Sequence, residues 1–226
     1  KFRNRFDPGH NRWFAMPVTP LNRQQFADEI DASDDLMRRF DIYADLLCRW
    51  QEKINLVGRA TLADLWRRHF LDSAQIYAHI PKNTSSIVDI GSGAGFPGLV
   101  LAILASAYEG PIVGLVESDT RKSAFLREVN RETSANAKIY NRRVEDLPDL
   151  AADVVTARGC APLERLLPWV AHAGRPGCMA LLSKGQKWRD ELTLAEKNWT
   201  MSVAEISSQT DTSGIILKLE GLTYIE

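Results

Sequence analysis

The most constraining stretch of this sequence is a glycine-rich turn, VDIGSGAGFPGLVLAI, which runs from Val88 to Ile103. Apolar residues precede the glycines and a longer apolar run follows them, so the pattern predicts a buried strand, a tight turn and a helix. Glycine can adopt positive φ and allows another group to approach the backbone closely. We therefore expect an α/β protein with a ligand at this turn.

The remaining sequence extends the same alternation into a parallel sheet covered by helices on both faces. The predicted strands are 86–90, 111–117, 137–140, 153–157 and 178–183, and the predicted helices are 97–107, 121–133 and 163–173. Segments 203–208 and 215–219 are strand-like and are joined by QTDTSG, which predicts an antiparallel pair. A mostly parallel sheet that ends with one antiparallel strand is the outline of the methyltransferase variant of the doubly wound fold.

The first 80 or so residues follow a helical pattern instead. Apolar residues recur at three- and four-residue steps from Ser33 to Ile54, with Ser33 as a candidate N-cap. Thr61-Leu-Ala-Asp64 has the spacing of a capping box and predicts a second helix from Thr61. We therefore divide the chain into a helical extension, residues 1–80, and a core, residues 81–226.

Composition excludes several classes of protein. The chain has 28 Lys and Arg against 29 Asp and Glu, so bulk charge neither favours nor opposes a nucleic-acid partner. Its three cysteines are isolated, so we expect no disulfide framework and no metal site, and a reduced, cytoplasmic location fits. No apolar run has membrane-spanning length, so no membrane association is expected.

The glycine turn is a poor match to phosphate-binding loops. A dinucleotide fingerprint needs glycine at the position of Phe96, and no Gly-Lys-Ser/Thr follows to make a Walker A loop. Asp89 would repel a pyrophosphate but tolerates a cation, and Glu117, at the end of the second strand, can accept both ribose hydroxyls. These features favour S-adenosyl-L-methionine, which has a ribose and a sulfonium cation but no phosphate.

Five segments in order carry a resemblance to a known family: NLVGRATLADLWRRHFLDSAQI, DIGSGAGFPG, RVEDL, ARGCAPL and LLSKGQ. From about Leu36 to Leu219 the chain resembles the RsmG (glucose-inhibited division protein B) family of bacterial 16S ribosomal RNA guanine-N7 methyltransferases. The resemblance implies a Rossmann-like, class I S-adenosylmethionine-dependent core behind a helical extension. It also implies S-adenosyl-L-homocysteine as product and 16S ribosomal RNA or the small ribosomal subunit as partner.

The resemblance, added to the residue pattern, gives a set of expected site residues. The cofactor-binding set is Asp89, Gly91, Gly93, Gly95, Phe96, Glu117, Val144, Glu145 and Arg158. Phe96 stands where the family usually has Leu. Arg143, Arg158 and Lys184 are expected to bind RNA because they follow strand ends, and Arg158 and Lys184 to position the substrate. Guanine N7 carries no proton, so no general base is expected.

Other interpretations stay open at this point. The chain could be a non-catalytic RNA-binding or assembly factor with the same fold, a small-molecule methyltransferase, or a dehydrogenase, which Phe96 opposes. His69 falls at an apolar spacing, which favours a hydrogen-bonded packing role between the extension and the glycine turn. Residues 1–15 carry four basic residues and one acid, and are either foreign to the natural chain or an RNA-contacting arm. We expect a monomer.

Overall fold

The computed structural model describes residues 20–225, so the predictions for residues 1–15 lie outside the described part of the chain. The segment before the sheet is helical, as predicted. Its elements are α1 (Arg23–Glu29), α2 (Asp34–Gln51), a 3-10 helix (Arg59–Asp64), a π-helical segment (Trp66–Leu71) and α3 (Asp72–Tyr77). Helix α1 was not predicted, since its seven residues are too few to show a clear period.

Helix α2 begins as the sequence predicts. The Ser33 side chain accepts a hydrogen bond from the backbone N–H of Leu36 at 3.2 Å, and two acids occupy the first turn. The helix ends at Gln51, before the predicted Ile54. The Gln51 side-chain oxygen accepts from the N–H groups of Leu56 and Val57, at 3.0 and 2.9 Å, and so ties down the following loop.

The capping box predicted at Thr61 is wrong. The Thr61 hydroxyl donates to the carbonyl of Gly58 at 2.6 Å, and Asp64 accepts from the backbone N–H of Leu21 at 2.9 Å. Because both side chains have other partners, no α-helix begins at Thr61, and the chain continues through the 3-10 helix into the π-helical segment.

The core is a seven-stranded sheet of order β3-β2-β1-β4-β5-β7-β6. The strands are β1 (Ser86–Ile90), β2 (Ile112–Val116), β3 (Lys138–Tyr140), β4 (Ala152–Arg158), β5 (Gly174–Lys184), β6 (Trp199–Ser207) and β7 (Ile215–Tyr224). The helices are α4 (Gly98–Ala107), α5 (Thr120–Thr133), α6 (Leu163–Ala173) and α7 (Trp188–Ala195), with a 3-10 turn at Val144–Asp146. Strand β7 runs antiparallel to β5 and β6, whereas the other pairs are parallel. This confirms the predicted fold class.

The sheet register brings the ends of distant segments together. Ile90 pairs with Val116, Arg158 with Ser183, and Lys184 with Ile215. The glycine turn, the segments after β2 and β4, and the β6–β7 turn therefore lie at one edge of the sheet, where α/β proteins bind ligands.

The helical extension packs onto one face of the sheet. Its buried aromatic residues Phe26, Phe40, Tyr43 and Phe70 belong to the same hydrophobic cluster as residues of α4 and α5. A second cluster, which includes α6, covers the other face. The division at residue 80 stays a prediction. Across residues 20–225, none of the helices combines the length and the apolarity needed to cross a bilayer.

Candidate functional site

A cavity of about 620 Å³ opens at the edge where the parallel strands end. This volume lies in the range of small-molecule sites, about 300–1,000 Å³. The cavity is lined by the glycine turn, the residues after β2, β4 and β5, the extension and the β6–β7 turn. Of the predicted residues, the lining includes Gly91, Gly93, Phe96, Glu117, Arg158 and Lys184.

The glycines of the turn are required by its geometry. Gly91, Gly93 and Gly95 have φ of 66°, 56° and 92°, which L side chains rarely adopt. A side chain at Gly91 would also collide with Cys160, and one at Gly95 with Tyr43 and Leu99. The turn thus exposes its backbone to the cavity on one side and packs tightly on the other.

Asp89 lies behind this turn and is not among the cavity-lining residues. Its Oδ1 accepts from the Thr156 hydroxyl at 2.7 Å, and its Oδ2 lies so close to Gly98 that a side chain there would collide. Burial raises the pKa of Asp89 to about 6, although the hydrogen bond from Thr156 opposes the rise. Asp89 therefore supports the turn from its buried side, away from the cavity.

Glu117 joins the glycine turn to helix α5. One carboxylate oxygen accepts from the Gly93 N–H at 2.8 Å and the other from the Asp119 N–H at 2.7 Å. Asp119 in turn caps α5. A carboxylate oxygen has two lone pairs, so each oxygen of Glu117 keeps acceptor capacity toward the cavity. Glu117 can therefore accept further hydrogen bonds from a ligand in the cavity.

Arg158 is anchored by the helical extension. Its guanidinium donates to the Asp72 carboxylate at 2.8 Å, to the Arg68 carbonyl at 3.1 Å and to the His69 ring at 3.0 Å. It also lies 5.2 Å from the centre of the Phe96 ring. The extension therefore holds in place a cation that belongs to the sheet.

These contacts define the protonation state of His69. A guanidinium can only donate, so Nδ1 of His69 must accept from Arg158 and the ring is neutral, with its proton on Nε2. Nε2 lies 2.7 Å from the Thr61 hydroxyl, which itself donates to Gly58. Burial, followed by the charges of Arg158 and Arg68, lowers the pKa of His69 to about 3. The predicted packing role fits this geometry, including the contact of the ring with Phe96 at 5.0 Å.

Asp72 connects the extension to the β6–β7 turn. While its Oδ2 binds Arg158, its Oδ1 accepts from the Thr210 hydroxyl at 2.6 Å and from Gln75 at 3.0 Å. Arg68 pairs with Asp211 of the same turn at 3.0 Å. Sequence reasoning missed Asp72, although its position three residues after His69 on one helical surface was a usable signal.

Lys184 is held by internal partners. Its ammonium lies 2.6 Å from the Glu191 carboxylate and 2.8 Å from the Ala161 carbonyl, and its side chain is 8% exposed. Lys184 therefore reaches the cavity edge as one half of an ion pair between β5 and α7.

Besides Asp89 and Gly95, three more predicted residues lie outside the cavity lining. Val144 is buried, and the Glu145 carboxylate accepts from the Trp169 indole N–H at 2.8 Å. Arg143 is exposed beside them, before the 3-10 turn. Lys122, which sequence reasoning did not single out, does line the cavity. Within residues 20–225, no group of three or more His, Cys, Asp or Glu side chains is placed to hold a metal ion.

The sheet order, the glycine turn and the acid after β2 define a Rossmann-like, class I methyltransferase. The fold is similar to that of a SAM dependent methyltransferase from Aquifex aeolicus, with a TM-score of 0.52 and 13% identity over 67% of this chain and 89% of that one. It is also similar to Pyrococcus horikoshii TYW2, solved in complex with MeSAdo, with a TM-score of 0.51 and 15% identity over 77% of this chain and 66% of that one.

The particular family follows from sequence. The model of the family described as GidB, rRNA small subunit methyltransferase G, matches residues 36–215. The Ribosomal RNA small subunit methyltransferase G of Rhodospirillum centenum is 48% identical over 204 residues, which cover 90% of this chain and 93% of that protein. The chain therefore belongs to the rRNA small subunit methyltransferase G family, and the resemblance described above is confirmed.

Proposed function

We propose that this protein transfers a methyl group from S-adenosyl-L-methionine to N7 of a guanine in bacterial 16S ribosomal RNA and releases S-adenosyl-L-homocysteine. The observation that carries the proposal is the cavity in which Glu117 is fixed against the glycine turn. Family membership names the substrate class.

The proposed cofactor contacts are the backbone of Gly91 and Gly93, the ring of Phe96 and the carboxylate of Glu117. When bound, the cofactor supplies an electrophilic methyl group on a sulfonium centre. Asp89 and Gly95 act indirectly in this proposal, because they shape the turn from its packed side. Val144 and Glu145 also act indirectly, through the 3-10 turn next to β3.

The chain has to orient the target base and does not have to remove a proton from N7. Positioning two reacting groups can supply on the order of 7–11 kcal/mol of the barrier. Arg158 is suited to this task, because Asp72 and His69 hold its guanidinium from behind at the cavity wall. The neutral state of His69 supports a structural role, since its basic nitrogen is already occupied by Arg158.

The proposed RNA contacts differ in kind. Arg158 contacts the base or its phosphate inside the cavity, and Arg143 contacts RNA from the exposed surface. Lys184 acts through the Ala161 carbonyl and Glu191, and so positions the loop after β4. The proposal includes a single copy of the chain acting in the bacterial cytoplasm on free RNA or on the small subunit.

Transfer of labelled methyl from S-adenosyl-L-methionine to unmodified 16S ribosomal RNA and to small subunits tests the proposal. We expect one labelled guanine, and the label should leave the RNA with the base when reduction and aniline treatment cut the chain at N7-methylated guanine. RNA binding without methyl transfer to either substrate would instead indicate a non-catalytic assembly factor. A label on a small molecule only would refute the RNA substrate.

A further inference from the structure

The cations at the cavity differ in whether this chain already neutralises them. Three of the lining cations pair with carboxylates: Arg68 with Asp211, Arg158 with Asp72, and Lys184 with Glu191. The fourth, Lys122, has no carboxylate within ion-pair distance among residues 20–225. Its positive charge is therefore free for a ligand.

Lys122 lies on the first turn of α5, and this position is fixed by backbone contacts. Asp119 accepts from the N–H groups of Arg121 and Lys122 at 2.8 and 3.1 Å. Asp119 and the Arg121 guanidinium are 3.8 Å apart, and Arg121 is 75% exposed. The acid of this turn is thus used mainly as a helix cap, and the two cations project from it.

A second basic pair lies next to this turn. The Asn141 side chain donates to the carbonyls of Glu117 and Ser118, at 3.0 and 3.2 Å, and so joins the end of β3 to the segment before α5. Arg142 and Arg143 follow directly and are exposed. In the part of the chain that the structure describes, neither forms an ion pair.

We propose that Arg121, Lys122, Arg142 and Arg143 form a phosphate-binding rim that holds the RNA backbone beside the target guanine. The inference rests on the proposed function for its ligand class and extends it to a defined surface. Uncompensated cations next to a cavity suit a polyanion that stays outside while one of its bases enters. Lys122, Arg142 and Arg143, which lack internal ion pairs, displace counterions from the RNA phosphates on binding, whereas Arg121, 3.8 Å from Asp119, contributes less.

Equilibrium binding of an unmodified 16S ribosomal RNA transcript between about 50 and 200 mM salt tests the rim. We expect Lys122→Gln to reduce the slope of log K against log salt by about 0.7–0.9, the value for one lost phosphate contact, and Lys122→Arg to keep it. Removing Arg142 as well should bring the reduction to about 1.5. Lys197→Gln is the matched control, because this exposed lysine lies just before the start of β6, at the end of the strands away from the cavity.

Cofactor affinity, measured by calorimetry on the same preparations, separates the alternatives. The rim predicts an unchanged dissociation constant in Lys122→Gln. Weaker cofactor binding with an unchanged salt slope in Lys122→Gln would place Lys122 in the cofactor pocket and overturn the inference. A slope reduction of equal size in Lys197→Gln would also overturn it. If the wild-type protein shows the rim-dependent slope but transfers no methyl group, the proposed function fails and the rim stands.

Discussion

Individual residues at this site act through partners that are distant in sequence. The glycines and Glu117 could be predicted because their positions after β1 and β2 are local signals. Asp72, Thr210 and Lys122 could not, because their roles depend on contacts across the fold; Asp72 and Thr210 are 138 residues apart. Lys184 could be located but its pairing with Glu191 could not, since the pair depends on where α7 lies.

Glu117→Ala should weaken S-adenosyl-L-methionine binding by at least about tenfold, because charge-assisted hydrogen bonds contribute about 1.5–3 kcal/mol each. RNA affinity should change much less. The cofactor affinity of Glu117→Gln, which keeps one acceptor oxygen, should lie between those of the wild type and Glu117→Ala. Calorimetry with the cofactor measures the loss, and equal cofactor affinity in Glu117→Ala and the wild type would refute the ribose contact.

His69 should make stability depend on pH. Its pKa falls from 6.5 in the unfolded chain to about 3 in the folded protein, so the unfolded state binds the extra proton between these values. Stability is therefore complete above about pH 6.5 and decreases as pH falls below it, by on the order of 1 kcal/mol from about pH 6.5 to 5.5.

Urea unfolding of the wild type and of His69→Gln, at about pH 6.5 and 5.5, checks this expectation. The variant lacks the titrating ring. Asp89, whose pKa rises to about 6, contributes in the opposite direction, since protonation favours the folded form. Asp89 is the same in both proteins, so the difference between them isolates His69. Identical pH dependence would show that the pKa of His69 is the same in the folded and the unfolded protein.

At the scale of elements, strong local signals gave correct predictions and tertiary contacts gave the exceptions. Helix α2 has a clear period and a serine N-cap, and it was predicted to within a few residues. The segment 59–71 was not, because Thr61 and Asp64 bond elsewhere. Strands β5 and β6 begin four residues before their predicted starts, at Gly174 and Trp199, and α7 was missed.

The β6–β7 turn depends on the extension for its position. Asp72→Ala removes acceptors for Thr210 and Arg158 together, so we expect faster amide hydrogen exchange across residues 208–214 and a stability loss of about 2–4 kcal/mol. Thr210→Val should also speed amide exchange in this turn, with a smaller loss of stability than Asp72→Ala. Unchanged exchange in Asp72→Ala would mean that the turn is held by its own hydrogen bonds.

At the scale of the whole molecule, the extension and the sheet share one core. Phe70 packs against Phe26, Phe40, Tyr43 and Phe96, so a single aromatic cluster connects α1 to the glycine turn. The sequence predicted both layers, but it could not predict which face of the sheet the helices cover, since that depends on how both surfaces fit.

Phe70→Ala should cost about 3–5 kcal/mol of stability and also weaken cofactor binding, because the cavity is adjacent to Phe96. Leu167→Ala, in the core of the other face, should cost about 2–5 kcal/mol and leave cofactor affinity intact. Chemical denaturation and calorimetry on both variants give the comparison. Equal cofactor affinity in the two would show that the faces do not differ in their effect on the site.

The anchoring of Arg158 limits how far the chain can be trimmed. A fragment starting at residue 81 would retain every strand and the glycine turn. The Arg158 guanidinium, however, would lose its contacts with Asp72, His69 and the Arg68 carbonyl at once. The smallest working unit is therefore larger than the sheet and its covering helices, and chimaeras with related proteins should exchange the two regions as one piece.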